Sequence, residues 1–326
     1  MRTGIAVVIV NWNAGELLKE CLDAVYRQTL MPNQVIVIDN ASSDNSLVGL
    51  DERYPQLIIS RQDSNLGFSV ANNIALRDYV NTYWVALLNP DAIPDPSWLL
   101  NLSNAAKENP KYSFFASTLI KKGNKHELDG VGDVYHVSGL AWRRLHGVNR
   151  KLNELEDCDI FSPCAAAAMY KKSILDEVSG FDEDFFCYFE DVDLSFRLRL
   201  LGYRCLYVSK AVVSHVGSAT TGQDSDFSVY YGHRNLVWTF IKNMPLPLLV
   251  LYMVYHLCLN ILTIIWYVYK GRGRLILRSK WDAIKGVGQA IRKRRNIQRT
   301  RTIKTRDIWN AMEGTSIKLL MSRRGQ

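Results

Sequence analysis

The sequence predicts an α/β fold with a mostly parallel sheet, followed by a C-terminal segment of apolar and then basic helices. Over the first ninety residues, short apolar runs rich in β-branched residues alternate with stretches of helical periodicity. This alternation is the order expected of a parallel sheet with crossover helices. The chain has 326 residues, of which 48% are hydrophobic and 22% charged. That composition is typical of a globular protein rather than of a disordered chain or a membrane bundle.

Four strands are predicted before residue 90. The first, residues 5–10, is apolar throughout, as expected of a strand buried on both faces of a sheet. The elements predicted after it are a helix at 16–28, strands at 35–38 and 57–60, a helix at 68–79 and a strand at 83–88.

Polar residues follow three of these strands at their carboxyl ends. Asn11 and Asn13 follow the first strand, Asp39 ends the second, and Asn89 and Asp91 follow the fourth. In open α/β sheets ligands bind beyond the carboxyl ends of the strands, so we expect these side chains to converge on one crevice. The sequence has neither GxGxxG nor GxxxxGK[ST], which argues against a standard dinucleotide or P-loop site.

Acidic and aromatic residues between 184 and 193 precede a basic amphipathic run. Leucines recur at helical spacing from 194 to 201, and Gly202 follows as a helix C-cap. Glu190 or Asp191 then falls at the helix N-terminus, where unpaired N–H groups and the helix dipole favour a carboxylate. Such a carboxylate is either a general base or an ordinary capping residue.

Five motifs in this order resemble those of inverting family 2 glycosyltransferases, especially bacterial rhamnosyltransferases of surface-polysaccharide assembly. They lie within about residues 4–243 and read VVIVNWN, VIDNASSDNS, NLGFSVANNIA, LLNPDA and FEDVDLSFRLRLLGYR. The resemblance implies that residues 1–243 form a GT-A fold, a Rossmann-like, mostly parallel sheet that binds a nucleotide sugar. It also implies inverting transfer of L-rhamnose from dTDP-rhamnose to a lipid-linked glycan acceptor.

The same resemblance implies roles for individual residues. Asp191 matches the catalytic base, Glu190 the acid before it, and Asp193 a recurrent position with a structural role. Asp39 is expected to hydrogen-bond the nucleotide base. The other positions expected at the donor are Val10, Asn11, Asn13, Asn65, Gly67, Asn72, Asn89, Asp91 and Arg234.

A divalent cation, Mg²⁺ or Mn²⁺, is expected to neutralise the leaving diphosphate. Asn89-Pro90-Asp91 stands where the family has its D-x-D metal motif, so Asp91 is the one carboxylate ligand left there. His215 occupies a position where the family commonly has a histidine and is the second candidate ligand. A histidine with a purely structural role is the alternative.

Residues 119–157 are polar and mixed, and we interpret them as a loop or hairpin insertion on the acceptor side. His126, His136 and His146 recur in it every ten residues without a metal-ligand pattern, so we interpret them as surface or loop histidines. The polar segment 218–226 is interpreted as a lid over the donor.

The segment 244–326 is predicted to associate with the cytoplasmic face of a membrane. Seventeen Lys or Arg residues and three acidic residues follow residue 268, whereas the rest of the chain is mildly acidic. The uncharged run 248–269 is long enough to span a bilayer, but the basic residues after it oppose a single span. We therefore expect a helix or helical hairpin in the membrane plane, with basic helices on anionic headgroups. A helix buried in an oligomer interface is the alternative, and a nucleic-acid partner is not expected.

Two other functions stay open on the sequence alone. A polyprenyl-phosphate glycosyltransferase would have a phosphate acceptor that needs no base. A non-catalytic, membrane-bound subunit would bind a nucleotide sugar without turning it over. A nucleotidyltransferase is disfavoured because Asn11-Trp12-Asn13 stands where a phosphate-binding loop rich in Gly and Lys or Arg would follow the first strand.

Overall fold

One mixed sheet forms the centre of the computed structural model, which describes residues 4–217 and 225–314. Within that part of the chain the sheet has ten strands, and two further strands pair as a separate hairpin. The strands are β1 (Ile5–Asn11), β2 (Gln34–Asp39), β3 (Ile58–Arg61), β4 (Trp84–Leu88), β5 (Ala92–Pro94), β6 (Phe114–Lys121), β7 (Asn124–Gly130), β8 (Asp133–Tyr135), β9 (Ala141–Arg143), β10 (Cys158–Ile160), β11 (Ala167–Lys171) and β12 (Cys205–His215).

Helices pack on both faces of this sheet. The side chains of β1 accordingly point alternately into two hydrophobic clusters, one on each face. Val7 and Ile9 belong to one cluster, whereas Ala6 and Val8 belong to the other. In the described residues the helices are α1 (Glu16–Val25), α2 (Leu50–Arg53), α3 (Gly67–Ile74), α4 (Trp98–Glu108), α5 (Lys172–Glu177), α6 (Glu190–Leu200), α7 (Asp226–Asn243), α8 (Leu246–Tyr269), α9 (Gly273–Thr300) and α10 (Thr305–Ala311).

The first half of the sheet is parallel, as predicted. β1 lies between β2 and β4 and runs parallel to both, and β3 continues the parallel order beyond β2. The register sets Asn11 beside Asp39 and Ile9 beside Leu88. The carboxyl ends of these strands therefore meet at one edge, where the polar residues of the sequence were expected to converge.

The second half of the sheet mixes directions. β11 is antiparallel to its two neighbours β4 and β6, while β12 runs parallel to β6. The small residues before β11 lie against the end of β4, and the Asn89 N–H donates to the Ala166 carbonyl at 2.9 Å. The insertion 119–157 contains the antiparallel β6–β7 pair and the β8–β9 hairpin, which agrees with the hairpin interpretation.

The long apolar helix α8 runs back along α7 instead of leaving the domain. His256 stacks on Phe240 of α7 with 4.0 Å between ring centroids, and Tyr267 lies edge-on to His233 at 5.1 Å. Just after α8 ends, Arg272 pairs with Asp226 at the start of α7 at 2.6 Å. Leu248, near the other end of α8, is buried in the same cluster as Phe240, so both ends of α8 are held against the same domain.

The basic helix α9 then returns alongside α7 in the same direction. Near its start the Ser279 hydroxyl donates to the Tyr230 carbonyl at 2.7 Å, and near its end Gln298 donates to the Asn243 carbonyl at 2.8 Å. Between them Trp238 donates to the Ala283 carbonyl at 2.8 Å. The division of the chain at residue 243 stays a prediction, since α9 packs along the helix that precedes it.

Among the described residues, α8 is the one helix long and apolar enough to cross a membrane, with a mean hydropathy of 2.2. Its inward side chains, Leu248, Tyr252 and His256, are spaced four residues apart on one face. The predicted lid 218–226 falls largely outside the described residues, which resume at residue 225.

Candidate active site

A cavity of about 670 Å³ opens beyond the carboxyl ends of β1 and β4. Eight of the residues predicted for the site contribute to its lining: Val10, Asn65, Gly67, Asn89, Asp91, Glu190, Asp191 and His215. The lining does not include the other five, which are Asn11, Asn13, Asp39, Asn72 and Arg234.

Asn11 and Asp39 join the ends of β1 and β2 just behind the cavity. The Asn11 amide donates to Asp39 Oδ1 at 2.8 Å and to the hydroxyls of Ser42 and Ser46 at 3.0 and 2.9 Å. Asp39 Oδ2 in turn accepts from the Ser42 N–H at 3.1 Å. This network fixes the position of Val10, the neighbouring residue that does line the cavity.

Asn13 and Asn72 also form local contacts. The Asn13 side chain accepts from the Ser43 N–H at 2.8 Å, which ties the loop after β1 to the loop after β2. Asn72 is buried within α3 and donates to the Phe68 carbonyl at 2.9 Å. Donor contacts for these two side chains stay predictions.

Asn40 anchors the N-x-G motif at the entrance of α3. Its amide donates to Asn65 Oδ1 at 2.8 Å, and Asn65 Oδ1 also accepts from the Gly67 N–H at 2.9 Å. Gly67 has a φ of 82°, and a Cβ there would lie 2.5 Å from the carbonyl oxygen of Phe186. Glycine is required at this position because the backbone is left-handed and the chain before α6 passes directly against it.

His215 lies between two carboxylates on different elements. Its Nε2 is 3.3 Å from Asp91 Oδ1, and its Nδ1 is 2.8 Å from Oδ2 of Asp129, the residue before the end of β7. Burial alone lowers the pKa of His215, but the hydrogen bonds to Asp129 and Asp91 outweigh it and raise the pKa to about 9. His215 is therefore a charged, oriented side chain in the metal-free protein.

Asp129 joins His215 to the β8–β9 hairpin. Its carboxylate accepts from the Arg143 guanidinium at 2.6 Å and lies 3.4 Å from His146 Nδ1. Burial raises the pKa of Asp129, but its hydrogen bonds with His146 and His215 and the charge of Arg143 hold it well below its usual range. The interpretation of His146 as a surface or loop residue was incomplete, because its side chain lines the cavity.

The donor set near Asp91 fits a divalent cation bound together with a diphosphate. Among the described residues no group of three or more His, Cys, Asp or Glu side chains is arranged to hold a metal ion. Asp91 and His215 supply one carboxylate and one imidazole on the cavity wall. Mg²⁺ in nucleotide sites typically binds one or two protein carboxylates and completes its shell with phosphate and water, and imidazole nitrogen is a common ligand of transition metals. A metal at this site would therefore depend on the bound nucleotide.

Asp191 lies in the first turn of α6, which begins at Glu190 as predicted. Its Oδ2 accepts from the Ala165 N–H at 3.1 Å, which holds the carboxylate against the small-residue segment before β11. Burial raises the pKa of Asp191, and the N–H groups of Ala165 and Val192 with the charge of Arg143 oppose that rise without cancelling it. A carboxylate with a raised pKa is a stronger base than one in water.

Two further carboxyl groups border the same part of the cavity. Burial and then the charge of Asp191 raise the pKa of Asp133 to about 7 and also raise the pKa of Glu190. In the described structure Glu190 Oε2 is buried without a hydrogen-bond partner. Acidic groups in one wall disfavour each other's charged forms, so the charge of Asp191 adds to the effect of burial on the pKa of Asp133 and Glu190.

The chain enters α6 through two residues in the left-handed region. Tyr188 and Phe189 have φ values of 65° and 69°, and this turn aims the first residues of α6 at the cavity. Asn235 of α7 holds the turn, since its amide donates to the carbonyls of Cys187 and Tyr188 at 2.9 and 2.7 Å. The segment Arg234-Asn235 through Lys242-Asn243 thus contributes to the position of the catalytic candidate.

Asp193 has the structural role expected for it. Its carboxylate is fully buried and accepts from Arg197 at 2.9 Å, from Lys242 at 2.7 Å and from Asn243 at 2.7 Å. Lys242 also pairs with Asp182. This network attaches α6 to α7 and to the loop before α6.

Arg234 packs among aromatic rings outside the cavity lining. Its guanidinium carbon lies 4.3 Å from the Trp238 ring centroid and 4.7 Å from that of Tyr231, and a nitrogen donates to the Asp184 carbonyl at 3.1 Å. The donor contact stays a prediction and would require the side chain to leave these partners.

The sequence left several residues of the cavity wall unassigned. Trp12 and Asn40 lie within recognised motifs. The sequence alone does not show whether a residue of such a motif lines a cavity or only forms a turn. Five more belong to the insertion 119–157: Asp129, Asp133, Trp142, Arg143 and His146. The contact that relates the insertion to the site is the hydrogen bond between Asp129 and His215, which are 86 residues apart. No sequence pattern indicates this contact.

The family model described as Glycosyl transferase family 2 matches residues 6–179, which is more than half of the chain. The chain belongs to glycosyl transferase family 2. The match includes β1 to β11 and Asp91, while α6 with Asp191 and β12 with His215 lie beyond its end. The family named from the motifs is thereby confirmed.

Curated relatives of this glycosyltransferase include two rhamnosyltransferases. The N-acetylglucosaminyl-diphospho-decaprenol L-rhamnosyltransferase of Mycobacterium tuberculosis is 26% identical over 252 residues, which are 71% of this chain and 82% of that protein. The O-antigen chain rhamnosyltransferase RfbN of Salmonella typhimurium is 26% identical over 225 residues, 68% of each chain. The rhamnosyltransferase-like character predicted from the motifs is consistent with both.

Solved structures support the predicted GT-A fold of this glycosyltransferase. TarS 1–349 of S. aureus in complex with UDP-GlcNAc matches 95% of this chain and 93% of that chain, with a TM-score of 0.59 and 14% identity. The mannosyltransferase PcManGT of Pyrobaculum calidifontis, solved with GDP-Man and Mn²⁺, matches 95% and 86% with a TM-score of 0.55 and 18% identity. The α/β sheet with flanking helices and the long apolar C-terminal helix agree with the fold expected from the sequence.

Proposed function

We propose that this glycosyltransferase transfers L-rhamnose from dTDP-rhamnose, with inversion, to a glycan linked through a diphosphate to a polyprenyl lipid. The observation that carries the proposal is that one cavity holds the Asp191 carboxylate and, from different elements, the Asp91–His215 pair. An inverting transfer needs two functions in the same cavity: a base for the acceptor and a site for the leaving diphosphate.

Asp191 would act as the general base. Its carboxylate takes the proton of the acceptor hydroxyl as that oxygen attacks the anomeric carbon, and the bond from that carbon to the diphosphate breaks. One carboxylate suffices because no covalent sugar–enzyme intermediate forms. General-base assistance of this kind contributes about 10² to 10⁴ in rate. The hydrogen bond from Ala165 keeps the carboxylate in place, and burial makes it more basic.

Asp91 and His215 would hold Mg²⁺ or Mn²⁺ together with the donor diphosphate. Such a cation, when bound, supplies charge that stabilises the leaving nucleoside diphosphate. The protein's part is to fix the ligands: Asp129 receives a hydrogen bond from Nδ1 of His215, which leaves Nε2 directed toward Asp91. A PcManGT structure with GDP-Man and Mn²⁺ supports the same use of this fold.

The donor and acceptor rest on the names of the relatives. The relative from Mycobacterium tuberculosis is named for L-rhamnose transfer to an N-acetylglucosaminyl-diphospho lipid, and RfbN is named for rhamnose transfer to O-antigen. The open cavity, with Trp12 and Trp142 on its wall, has room for a nucleotide sugar and an acceptor sugar. Aromatic faces of this kind stack on bases and sugars.

We further propose that the enzyme lies on the cytoplasmic face of a membrane through α8 and α9. Leu248, His256 and Tyr267 hold α8 on the domain from its first turn to its last, which supports a helix that lies in the membrane plane rather than one that spans it. Apolar side chains remain exposed along α8 and over the first half of α9. They form what we term the apolar surface: Val250, Leu251, Val254, Leu257, Ile261, Leu262, Ile265, Leu277, Trp281 and Ile284.

The test is transfer by the purified full chain from a panel of nucleotide sugars to a lipid-linked acceptor, with Mg²⁺ or Mn²⁺. Wild type is expected to use dTDP-rhamnose, and Asp191→Asn is expected to lose about 10²-fold or more in kcat while still binding nucleotide. Equal turnover in both proteins would remove Asp191 as the base. Transfer to a simple polyprenyl phosphate that survives Asp191→Asn would favour the polyprenyl-phosphate glycosyltransferase. Nucleotide binding without any turnover would favour the non-catalytic subunit.

Membrane association has its own test. Replacement of Val254, Leu257 and Ile261 by Ser is expected to release the protein from vesicles that contain anionic lipid, with unchanged turnover of a soluble acceptor. A matched control replaces Met31, Val48 and Tyr83, which are exposed large hydrophobic residues elsewhere on the domain. Equal vesicle binding by both variants would contradict the proposed membrane contact.

A further inference from the structure

The turn between α8 and α9 carries exposed cations beside exposed aromatic rings. Lys270 lies 4.9 Å from the Trp266 ring centroid, Arg278 lies 5.6 Å from that of Tyr230, and Arg274 is exposed between them. Trp266 and Trp281, on either side of the turn, are more than half exposed. Tryptophan next to Lys or Arg is characteristic of protein segments at the membrane–water interface.

A single helix, α7, lies between this turn and the cavity. Arg272 pairs with Asp226, the first residue of α7, and the next two residues of α7, Phe227 and Ser228, line the cavity. On its outer side the same part of α7 contacts α9, where the Tyr230 hydroxyl donates to Asp282 at 2.7 Å. An α-helix with side chains is about 10 Å across, so the cations and the cavity lie on opposite sides of a thin wall.

The two ends of α8 pack against different parts of α7. Helix α8 runs for 24 residues, or about 36 Å, between Leu246 and Tyr269. Its first half packs near Phe240, toward the end of α7, while its last turn lies near His233, toward the half of α7 that lines the cavity. The α8–α9 turn is therefore the end of the apolar surface that adjoins the start of α7, where Phe227 and Ser228 line the cavity.

The geometry points to Lys270, Arg274 and Arg278 as the binding site for the diphosphate of the lipid-linked acceptor. The inference rests on the proposed function, which supplies an acceptor with a diphosphate between lipid and glycan. The diphosphate stays at the headgroup level while the lipid stays in the bilayer, and the sugar extends past the start of α7 to Asp191. Arginine and lysine are the side chains that bind phosphate oxygens most strongly, through charge-assisted hydrogen bonds.

Charge on neighbouring elements leaves an excess of cations at the turn. Arg272 and Asp226 form one pair, and Asp282 of α9 faces Lys285 at 3.2 Å and Arg278 at 4.0 Å. The acidic residues near the turn are thus fewer than its basic ones, so an anion is attracted to it. The exposed aromatic rings and the apolar surface beside it select a lipid-borne anion over a soluble one.

The test compares two acceptors with the same sugar, one on a polyprenyl diphosphate in neutral phosphatidylcholine vesicles and one as a soluble alkyl glycoside. The triple variant K270Q/R274Q/R278Q is expected to raise KM for the diphosphate-linked acceptor roughly 10- to 100-fold. KM for the alkyl glycoside and for the donor should stay at the wild-type values. The conservative variant K270R/R274K/R278K should retain the wild-type KM for the lipid acceptor.

A matched control removes three exposed arginines further along α9. R292Q/R295Q/R299Q changes the net charge of the protein by the same amount, about 30 to 40 Å from the turn along the helix. An equal rise in KM in both triple variants would overturn the inference, because general attraction to the membrane would then explain it. A rise for both acceptors alike in K270Q/R274Q/R278Q would overturn it as well, since it would indicate a damaged cavity.

Failure of the proposed function is distinguishable in the same experiment. Wild type that transfers to neither acceptor from any donor would remove the proposed function and the inference with it. Wild type that transfers to the lipid acceptor, with a normal KM in K270Q/R274Q/R278Q, would overturn the inference alone.

Discussion

Nδ1 of His215 lies 2.8 Å from Oδ2 of Asp129, although 86 residues separate the two in the chain. The contact determines which way the imidazole faces, because Nε2 is then directed toward Asp91 at 3.3 Å. Carboxylates that accept a hydrogen bond from a metal-ligating histidine fix its tautomer and ring orientation. Asp129 would therefore act on the metal site through His215, without touching the metal itself.

Asp129→Asn is expected to weaken Mn²⁺ binding in the presence of a nucleoside diphosphate by about 10- to 100-fold. The cause is the loss of the charged partner that orients His215 and increases its basicity. Titration followed by the electron paramagnetic resonance of free Mn²⁺ gives the affinity directly. Glu127→Gln is the matched control, because Glu127 is on the same strand and pairs with the exposed Lys121. Unchanged Mn²⁺ affinity in Asp129→Asn would contradict the orienting role.

The stability of the metal-free protein is expected to depend on pH through His215. Its folded-state pKa of about 9 lies above the ordinary value of 6.5, so charged His215 stabilises the fold fully below pH 6.5. That contribution is lost as the pH rises through about 9, and its size is on the order of 3 kcal/mol. Asp91 and Asp129 are the carboxylates that supply it.

Urea denaturation in EDTA, from about pH 6 to about pH 10, measures this contribution as a difference between wild type and His215→Asn. The difference in unfolding free energy should shrink as the pH rises. The comparison cancels other titrating groups, such as Lys280, whose pKa burial lowers to about 7. Parallel pH profiles for the two proteins would exclude the charged His215.

Asp193 and Asp191 are expected to separate stability from activity. Asp193→Asn leaves the buried Arg197 without its carboxylate and Lys242 with Asp182 alone, which should cost about 3 kcal/mol or more of unfolding free energy. Within residues 4–217 and 225–314, Asp191 forms no ion pair with a lysine or arginine, so Asp191→Asn should change stability by about 1 kcal/mol or less. Chemical denaturation of both variants checks the contrast, and the reverse order would show that Asp191 is the structural residue.

Gly67→Ala is expected to destabilise the loop before α6 more than an ordinary glycine replacement does. Both Gly67 and Gly49 have positive φ, 82° and 74°, so alanine costs about 1 to 2 kcal/mol at each. A Cβ at Gly67 also meets Phe186 at 2.5 Å, whereas a Cβ at Gly49 meets nothing within 4 Å. Thermal denaturation of both variants is the measurement. The larger loss of stability in Gly67→Ala than in Gly49→Ala gives the cost of the contact between the added Cβ and Phe186. Equal losses would mean that the loop moves away freely.

The sequence was sufficient for the parts of the fold that depend on local patterns. The continuous apolar runs of β1, β2 and β4 indicate strands buried on both faces, and they are found there within one or two residues. The start of α6 at Glu190 also follows from local signals, because leucine spacing and Gly202 define the helix. The rule for parallel sheets was enough to place Asn89 and Asp91 at the crevice, whereas the place of Asp191 there was implied by the resemblance to the family.

What the sequence could not provide depends on contacts between distant polar residues. Asp129 precedes Gly130, a pattern that usually marks a turn, and nothing local relates it to His215. The basic helix α9 is expected on anionic headgroups, and its sequence does not show that Ser279 and Lys280 also hydrogen-bond to backbone carbonyls of α7. Hydrophobic periodicity does not detect packing that proceeds through polar side chains.

One helix, α7, separates the α8–α9 turn from the cavity, and the pairing of Arg272 with Asp226 and the packing of α9 on α7 hold the turn in this place. With the enzyme seated on a bilayer as proposed, Asp191 would work at a constant height above the lipid headgroups. A glycan whose accepting sugar lies at that height would receive the next sugar. A shorter or longer glycan would bring a different hydroxyl to Asp191. The fold would then select acceptor glycans by their length, which would limit this enzyme to one step in the ordered assembly of the glycan.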